Sequence, residues 1–223
     1  LSAGVKICGL RTLETLEAAI SAGASHFGMV FFPASPRHIA LDDAARLSHA
    51  ARGRIVSVAL VVNAADSEIE RIVNAANPDM MQLHGAETPE RASQIRKSFG
   101  KSVIKAISVG KPGDAERAFA YREAADLILF DAKPLKDGKN VLPGGNGLSF
   151  DWRLLAPIRN RMPFMLSGGL NPGNVAEAVR LTSAPIVDVS SGVETAPGEK
   201  DSGLIRQFVS AAKDAALKEI ANG

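Results

Sequence analysis

One cysteine in 223 residues cannot make an intrachain disulfide, so nothing in the chain requires an oxidising compartment. No apolar run approaches the ~18 residues that would suggest a membrane span. Charge of one sign is not in excess either. Lys plus Arg number 26 against 24 Asp plus Glu, a net charge of +2 scattered along the chain, which gives no electrostatic case for nucleic acid or a membrane surface. The opening stretch LSAGVKICGL lacks a charged region followed by a long apolar one, so no targeting segment is expected and the expected location is cytoplasmic. No linker rich in Pro, Gly or Ser divides the chain. The position after the first apolar run reads CGLRTLET, not G-x-G-x-x-G, which argues against a dinucleotide fold.

What is present is a regular alternation. Eight short runs rich in β-branched and apolar residues recur: VKIC, HFGMVFF, RIVSVALVV, DMMQLH, SVIKAISV, DLILFD, FMLSG and PIVDVS. Amphipathic segments lie between them, among them LETLEAAISAG, DSEIERIVNAAN, TPERASQIRKSFG, SFDWRLLAPIRN and NPGNVAEAVRL, with GLIRQFVSAAKDAAL at the end. In NPGNV, Asn171 is expected to cap a helix that Pro172 opens. Strand alternating with helix means parallel strands joined by crossovers. Eight such units in this length predict an α/β protein, a single (β/α)8 barrel with parallel strands over residues 1–223.

In such a barrel the functional face lies at the C-terminal ends of the strands, and residues along a strand alternate between interior and helix layer. If Cys8 faces inward at the end of strand 1, Lys6 shares that facing. The same alternation groups Gln82 with His84, Leu129 with Asp131, and Asp188 with Ser190, leaving Ile128, Phe130, Val187 and Val189 to pack under helices. Polar groups therefore converge on one rim, where burying them unpaired would be unfavourable in a barrel built only for stability. Each has a plainer explanation when taken singly. A free cysteine usually packs as a small hydrophobe, an Asp often ends a strand in a turn, His84 could bond a neighbouring carbonyl, and Arg37 could lie on the surface beside a turn proline. The shared facing carries the case.

Two glycine-rich stretches, LSGGLNPGNV and DVSSGVE, follow strands 7 and 8, where barrels of this kind often bind phosphate through backbone N–H groups. Tight turns alone would also explain Gly168, Gly169 and Gly192, but two such loops on adjacent strands favour phosphate. No P-loop lysine follows, which argues against a nucleoside triphosphate. The longest stretch without periodicity, Ala132 to Leu148, has the length of a lid or binding loop.

These residues resemble a known family. KICGL, FFPASPR, QLHGAE, LILFDAK, PGGNGLSFDW, LSGGLNPGNV and VDVSSGVE match, in order and over essentially the whole chain, the motifs of phosphoribosylanthranilate isomerases of tryptophan biosynthesis. Asn146 stands where the family usually has Thr, and Ser167 where it usually has Ala, both expected near the phosphate end. The resemblance implies a cofactor-free Amadori rearrangement of N-(5-phosphoribosyl)anthranilate, an aldose–ketose isomerisation. It places the general base on Cys8 and the general acid on Asp131. Arg37 would hold the anthranilate moiety, with His84 and Asp188 as further substrate-binding residues. The phosphate would lie on the loops carrying Gly168, Gly169, Ser190, Ser191 and Gly192.

The chemistry needs one acid, to protonate the furanose oxygen on ring opening, and one base, to remove the C2 proton of the resulting Schiff base. Strands 1 and 6 are three steps apart around the ring, with 7 and 8 between, so a pentose anchored there can lie between Cys8 and Asp131. The thiol suits the task if the site lowers its pKa, the carboxyl if its pKa is raised. The expected partner is the phosphorylated sugar–anthranilate substrate alone, with no metal or other cofactor, in a monomer or weak homodimer. Rival readings fare worse. The histidine-pathway isomerase is expected to carry an aspartate where Cys8 stands. Indole-glycerol-phosphate synthase is a further sugar-phosphate barrel of this type. A metal-dependent epimerase needs a His and carboxylate set, and His26, His38 and His49 are not at comparable rim positions to His84. A non-catalytic phosphate-binding module would not need both acid and base.

Overall fold

The computed structural model of the chain describes residues 3–133, 144, 145 and 147–221. Eight parallel strands close into one barrel in chain order: β1 (Gly4–Cys8), β2 (His26–Phe31), β3 (Val56–Val61), β4 (Met80–Leu83), β5 (Ser102–Val109), β6 (Leu127–Ala132), β7 (Phe164–Leu166) and β8 (Ile186–Val189). All eight expected strands are present. Closure pairs β1 with β8 as well as β2, with Lys6 opposite both Asp188 and His26. Each strand is covered on both faces, which is why it reads in sequence as a near-continuous apolar run.

The expected alternation holds. Leu129 packs inside the barrel with Val58, Ile104, Ala106 and Met165. Ile128, Phe130, Val187 and Val189 belong to the larger layer between barrel and helices. There Phe130 meets Phe164 edge to face at 5.7 Å, and full burial of each ring contributes roughly 1.5–3 kcal/mol.

The outer ring consists of α1 (Leu13–Ala22), α2 (Leu41–Ala51), α3 (Asp66–Ala76), α4 (Pro89–Phe99), α5 (Val175–Thr182) and α6 (Ser202–Ala221). Local signals set their ends. Thr12 caps α1 by accepting from the Thr15 N–H, and Gly23 stops it at φ 83°. Thr88 and Pro89 open α4, and Gly100 closes it in the left-handed region.

Two expectations need correction. SFDWRLLAPIRN forms only a short 3-10 turn, Trp152–Leu155, capped by Asp151. Ala156 keeps helical backbone at φ −51° and ψ −39°, but Pro157 brings no N–H to carry the hydrogen-bond ladder on. In NPGNV the helix begins at Val175 rather than at Pro172, with Asn174 at the cap position. The Asn171 side chain instead accepts from the Gly173 N–H within the preceding turn. Beyond β8 lies a small antiparallel pair that no periodicity announces, β9 (Glu194–Ala196) and β10 (Glu199–Lys200).

Candidate active site

A cavity opens at the C-terminal ends of the strands, enclosing about 760 Å3 of empty space including its mouth, a size suited to a small-molecule ligand. Cys8 reaches it from the last position of β1, Asp131 from β6, His84 from just beyond β4, Asp188 from β8 and Arg37 from the β2–α2 loop. Gly168, Gly169, Ser190 and Ser191 also line it. Gly192 lies outside the lining, pressed so tightly on the Leu170 carbonyl that a Cβ there would overlap it. One wall is apolar, formed by Val30, Phe32, Leu60 and Val62.

Cys8 is buried, and burial pushes its thiol upward from the ordinary cysteine range. Lys6 and Lys200 pull against that rise, while Asp188 adds to it. The condition that the site lower the thiol is not met by these protein groups alone: desolvation outweighs the cations. Lys6 lies directly beneath, fully buried, with Nζ 2.7 Å from Asp188 Oδ1. Burial alone would depress the Lys6 ammonium, but Asp188 and the ionised thiol hold it above its usual range. The second Asp188 oxygen accepts from Ser167 Oγ at 3.0 Å. Ser167 thus bonds Asp188, not the phosphate end where its departure from the family pattern pointed.

Arg37 is held as a fork. Its Nε and Nη2 donate to Glu194 Oε1 and Oε2, both at 2.8 Å, and Nη2 also to the Gly145 carbonyl. Nη1 points toward Gly145, where a Cβ would stand 2.6 Å away. Lys200 Nζ donates to the same Glu194 at 2.6 Å and to the Ser190 carbonyl. Burial lowers Lys200, with Glu194 opposing that shift. Glu194 itself, despite burial, is held below the usual carboxylate range by Arg37 and Lys200.

Opposite Cys8, His84 Nε2 lies 3.3 Å from Asp131 Oδ2 without hydrogen-bond alignment, and Nδ1 is 2.9 Å from the Gln82 amide nitrogen. His84 Nε2 and Gln82 Oε1 are both buried without a hydrogen-bond partner among the described residues. Asp131 Oδ1 accepts from the Ala132 N–H. Gly144 lies over this pair; a Cβ there would come within 2.7 Å of both His84 Nε2 and Asp131 Oδ2. Of the long aperiodic segment, residues 134–143 and Asn146 lie outside the described residues; Gly144 covers the acid side of the cavity, while Gly145 lies against Arg37 and Gly147 nearest Ser191.

Gly168 and Gly169 occupy the left-handed region, at φ 92° and 63°, with no room for a Cβ against Ala132 and Leu148. Their amides have no acceptor among the described residues. The Asn174 side chain stitches this loop by donating to the Gly169 carbonyl. Ser190 Oγ donates to the Cys8 carbonyl, tying the rims of β8 and β1 together. Among the described residues no three His, Cys, Asp or Glu gather as a metal ion would require.

Reasoning from sequence assigned no role to Lys6, Glu194, Lys200 or Gln82. Alternation does signal Lys6 and Gln82, which share the facings of Cys8 and His84. Glu194 ends the motif VDVSSGVE. Lys200 gives no signal, since its position depends on the β9–β10 pair.

Residues 5–211 match the family model PRAI, N-(5'-phosphoribosyl)anthranilate (PRA) isomerase. The chain belongs to that family. It is 54% identical over 215 residues to the N-(5'-phosphoribosyl)anthranilate isomerase of Parvibaculum lavamentivorans, covering 96% of this chain and all of that one. It also resembles a crystal structure of a phosphoribosylanthranilate isomerase in complex with reduced 1-(o-carboxyphenylamino)-1-deoxyribulose 5-phosphate, with TM-score 0.82 at 37% identity over 95% of this chain and 99% of that one. The same figures describe its likeness to mutually generated monomers of the dimeric enzyme from Thermotoga maritima. As a member of the family the chain is an isomerase of tryptophan biosynthesis on a (β/α)8 barrel.

Proposed function

We propose that Cys8 and Asp131 act as base and acid in the reaction of this isomerase, which converts N-(5'-phosphoribosyl)anthranilate to 1-(2-carboxyphenylamino)-1-deoxyribulose 5-phosphate. The observation that supports this assignment is that both side chains, from strands three steps apart, line one cavity whose intervening loops offer backbone amides with no acceptor among the described residues. The phosphate then lies over Gly168, Gly169 and Ser191, with Ser190 beside them on the lining and Gly192 shaping that loop from behind. The anthranilate ring lies on the apolar wall of Val30, Phe32, Leu60 and Val62, with its carboxylate on the Nη1 edge of Arg37, which meets no acceptor among the described residues.

Asp131 delivers a proton to the furanose oxygen as the C1–O bond breaks, and the nitrogen lone pair forms the Schiff base. The Cys8 thiolate then takes the C2 proton. The C2–H electrons form C1=C2, and the C=N electrons return to nitrogen. The resulting enol tautomerises to the ketone, losing its hydroxyl proton and gaining one at C1, so the net change is an isomerisation. His84 borders the acid. Asp188 lies beneath the pentose with its oxygens already on Lys6 and Ser167.

Residues 1–223 act as one barrel domain in this reading, with no cofactor. Among the described residues the large exposed apolar side chains are Leu13 and Leu181, on different helices, which favours a monomer or weak homodimer; sedimentation across a concentration series decides between them. No helix among the described residues is long and apolar enough to cross a membrane. The assay follows loss of the substrate's anthranilate fluorescence. Turnover undiminished by chelator, without added nucleotide, is expected; dependence on an added metal would overturn the acid–base assignment.

A further inference from the structure

We infer that Lys6 is a positioning residue that holds the charge of Cys8 when it ionises, and that Asp188 limits how strongly Lys6 does so. The inference rests on the reading of Cys8 as the base. Lys6 Nζ and Cys8 Sγ converge on Gly28, the one position of β2 beside them with no side chain. A Cβ built there would lie 2.9 Å from Sγ and 3.3 Å from Nζ, so both polar heads lie within 3.3 Å of a single point. Lys6 is fully buried, donates to Asp188 Oδ1 and also faces the Cys8 thiol. Burying this ammonium and its Asp188 partner carries a desolvation cost that a well-packed apolar pair would not. Stability therefore does not account for a lysine at this position.

The groups around the thiol divide clearly. From β1 Lys6 faces it, from β8 Asp188, from β10 Lys200, and from the β2–α2 loop the Arg37 stem packs on Gly9. His84 and Asp131 stand across the cavity. Lys200 and Arg37 share Glu194, which leaves Lys6 as the cation beneath the sulfur. Once substrate excludes water, an uncompensated thiolate would be strongly disfavoured. A bare ammonium, however, would stabilise the thiolate so well that it became a poor base. The Asp188 carboxylate at 2.7 Å from Nζ tempers the cation. The pair thus sets the thiol between two failures.

Because Cys8 is the only cysteine, ultraviolet thiolate absorbance and alkylation rates report it alone. Lys6→Met should raise the thiol midpoint by about one pH unit or more, and Asp188→Asn should lower it by a similar amount. The rising limb of the kcat/KM profile should move with each. Lys6→Arg should return the midpoint most of the way. A role only in folding would not move the two midpoints in opposite directions. If Lys6→Met does not fold, Lys6→Met/Asp188→Asn removes both charges, and its midpoint must lie above that of Asp188→Asn. Midpoints that stay put, or shift in the same direction, overturn the inference. Cys8→Ser assayed alongside separates the two claims. Near wild-type turnover there overturns the base itself, whereas a large loss with unmoved midpoints overturns only the role of Lys6.

Discussion

At the N-terminal rim of the barrel, a polar residue just before each of β2, β4 and β6 reaches back to the preceding strand. Ser25 accepts from the Val5 N–H and returns a bond to its carbonyl, Asp79 accepts from both the N–H and hydroxyl of Ser57, and Asp126 accepts from the Val103 N–H. Each clamp closes on itself. At the opposite rim the same residue types behave differently. Among the described residues His84 Nε2 and Gln82 Oε1 are buried without partners and the amides of Gly168 and Gly169 meet no acceptor, and Cys8 is pushed up by desolvation. One scaffold therefore satisfies its polar groups where it needs stability and leaves them open where a ligand must complete them.

Variants at each rim can break that contrast. The largest effect is expected from Cys8→Ser and Asp131→Asn, each lowering kcat by about two orders of magnitude or more with little change in KM or thermal midpoint. A parallel collapse in stability would place both residues with the clamps.

Next is His26 on the closed rim. Burial and then Lys6 depress its folded pKa to about 4, from 6.5. The unfolded chain therefore binds more protons between those values, so stability is lost as pH falls from 6.5 toward 4, by about 3 kcal/mol. Denaturant titrations of wild type and His26→Gln should diverge in that window alone; parallel curves would remove His26 as the cause. Asp79→Ala, which strands the Ser57 donors, should cost about 1–3 kcal/mol with kcat unchanged.

Back at the open rim, Arg37→Ala should raise KM about tenfold for the carboxylated substrate. An equal loss with an analogue lacking the carboxylate would contradict the anchor. The smallest effect belongs to Ser167→Ala, which deletes one of two donors to Asp188. It should cost about 1 kcal/mol or less of stability and leave KM nearly unchanged; a large KM rise would return Ser167 to the phosphate end.

Much of this was legible beforehand, for physical reasons. A strand buried on both faces leaves an apolar run, and period-two alternation then fixes which residues share a facing, so the sequence alone groups Cys8, His84, Asp131 and Asp188. What alternation cannot reveal is a partner supplied from elsewhere in the chain. Glu194 meets Arg37 across 157 residues, and Lys200 meets the Cys8 rim only through the two short strands after β8. The helical pattern of SFDWRLLAPIRN shortens to a 3-10 turn because Pro157 has no N–H to extend its ladder, and the chain before α5 is held by the Asn171 and Asn174 turn bonds.

The central claim is that one pentose, tethered by its phosphate, lies between the sulfur of Cys8 and the carboxyl of Asp131. A crystal structure of this chain with reduced 1-(o-carboxyphenylamino)-1-deoxyribulose 5-phosphate tests it most directly. The phosphate is expected on the Gly168–Gly169 and Ser191 amides, with Sγ and the carboxyl on either side of the C1–C2 bond. A phosphate bound elsewhere, or either side chain out of reach of that bond, would contradict it.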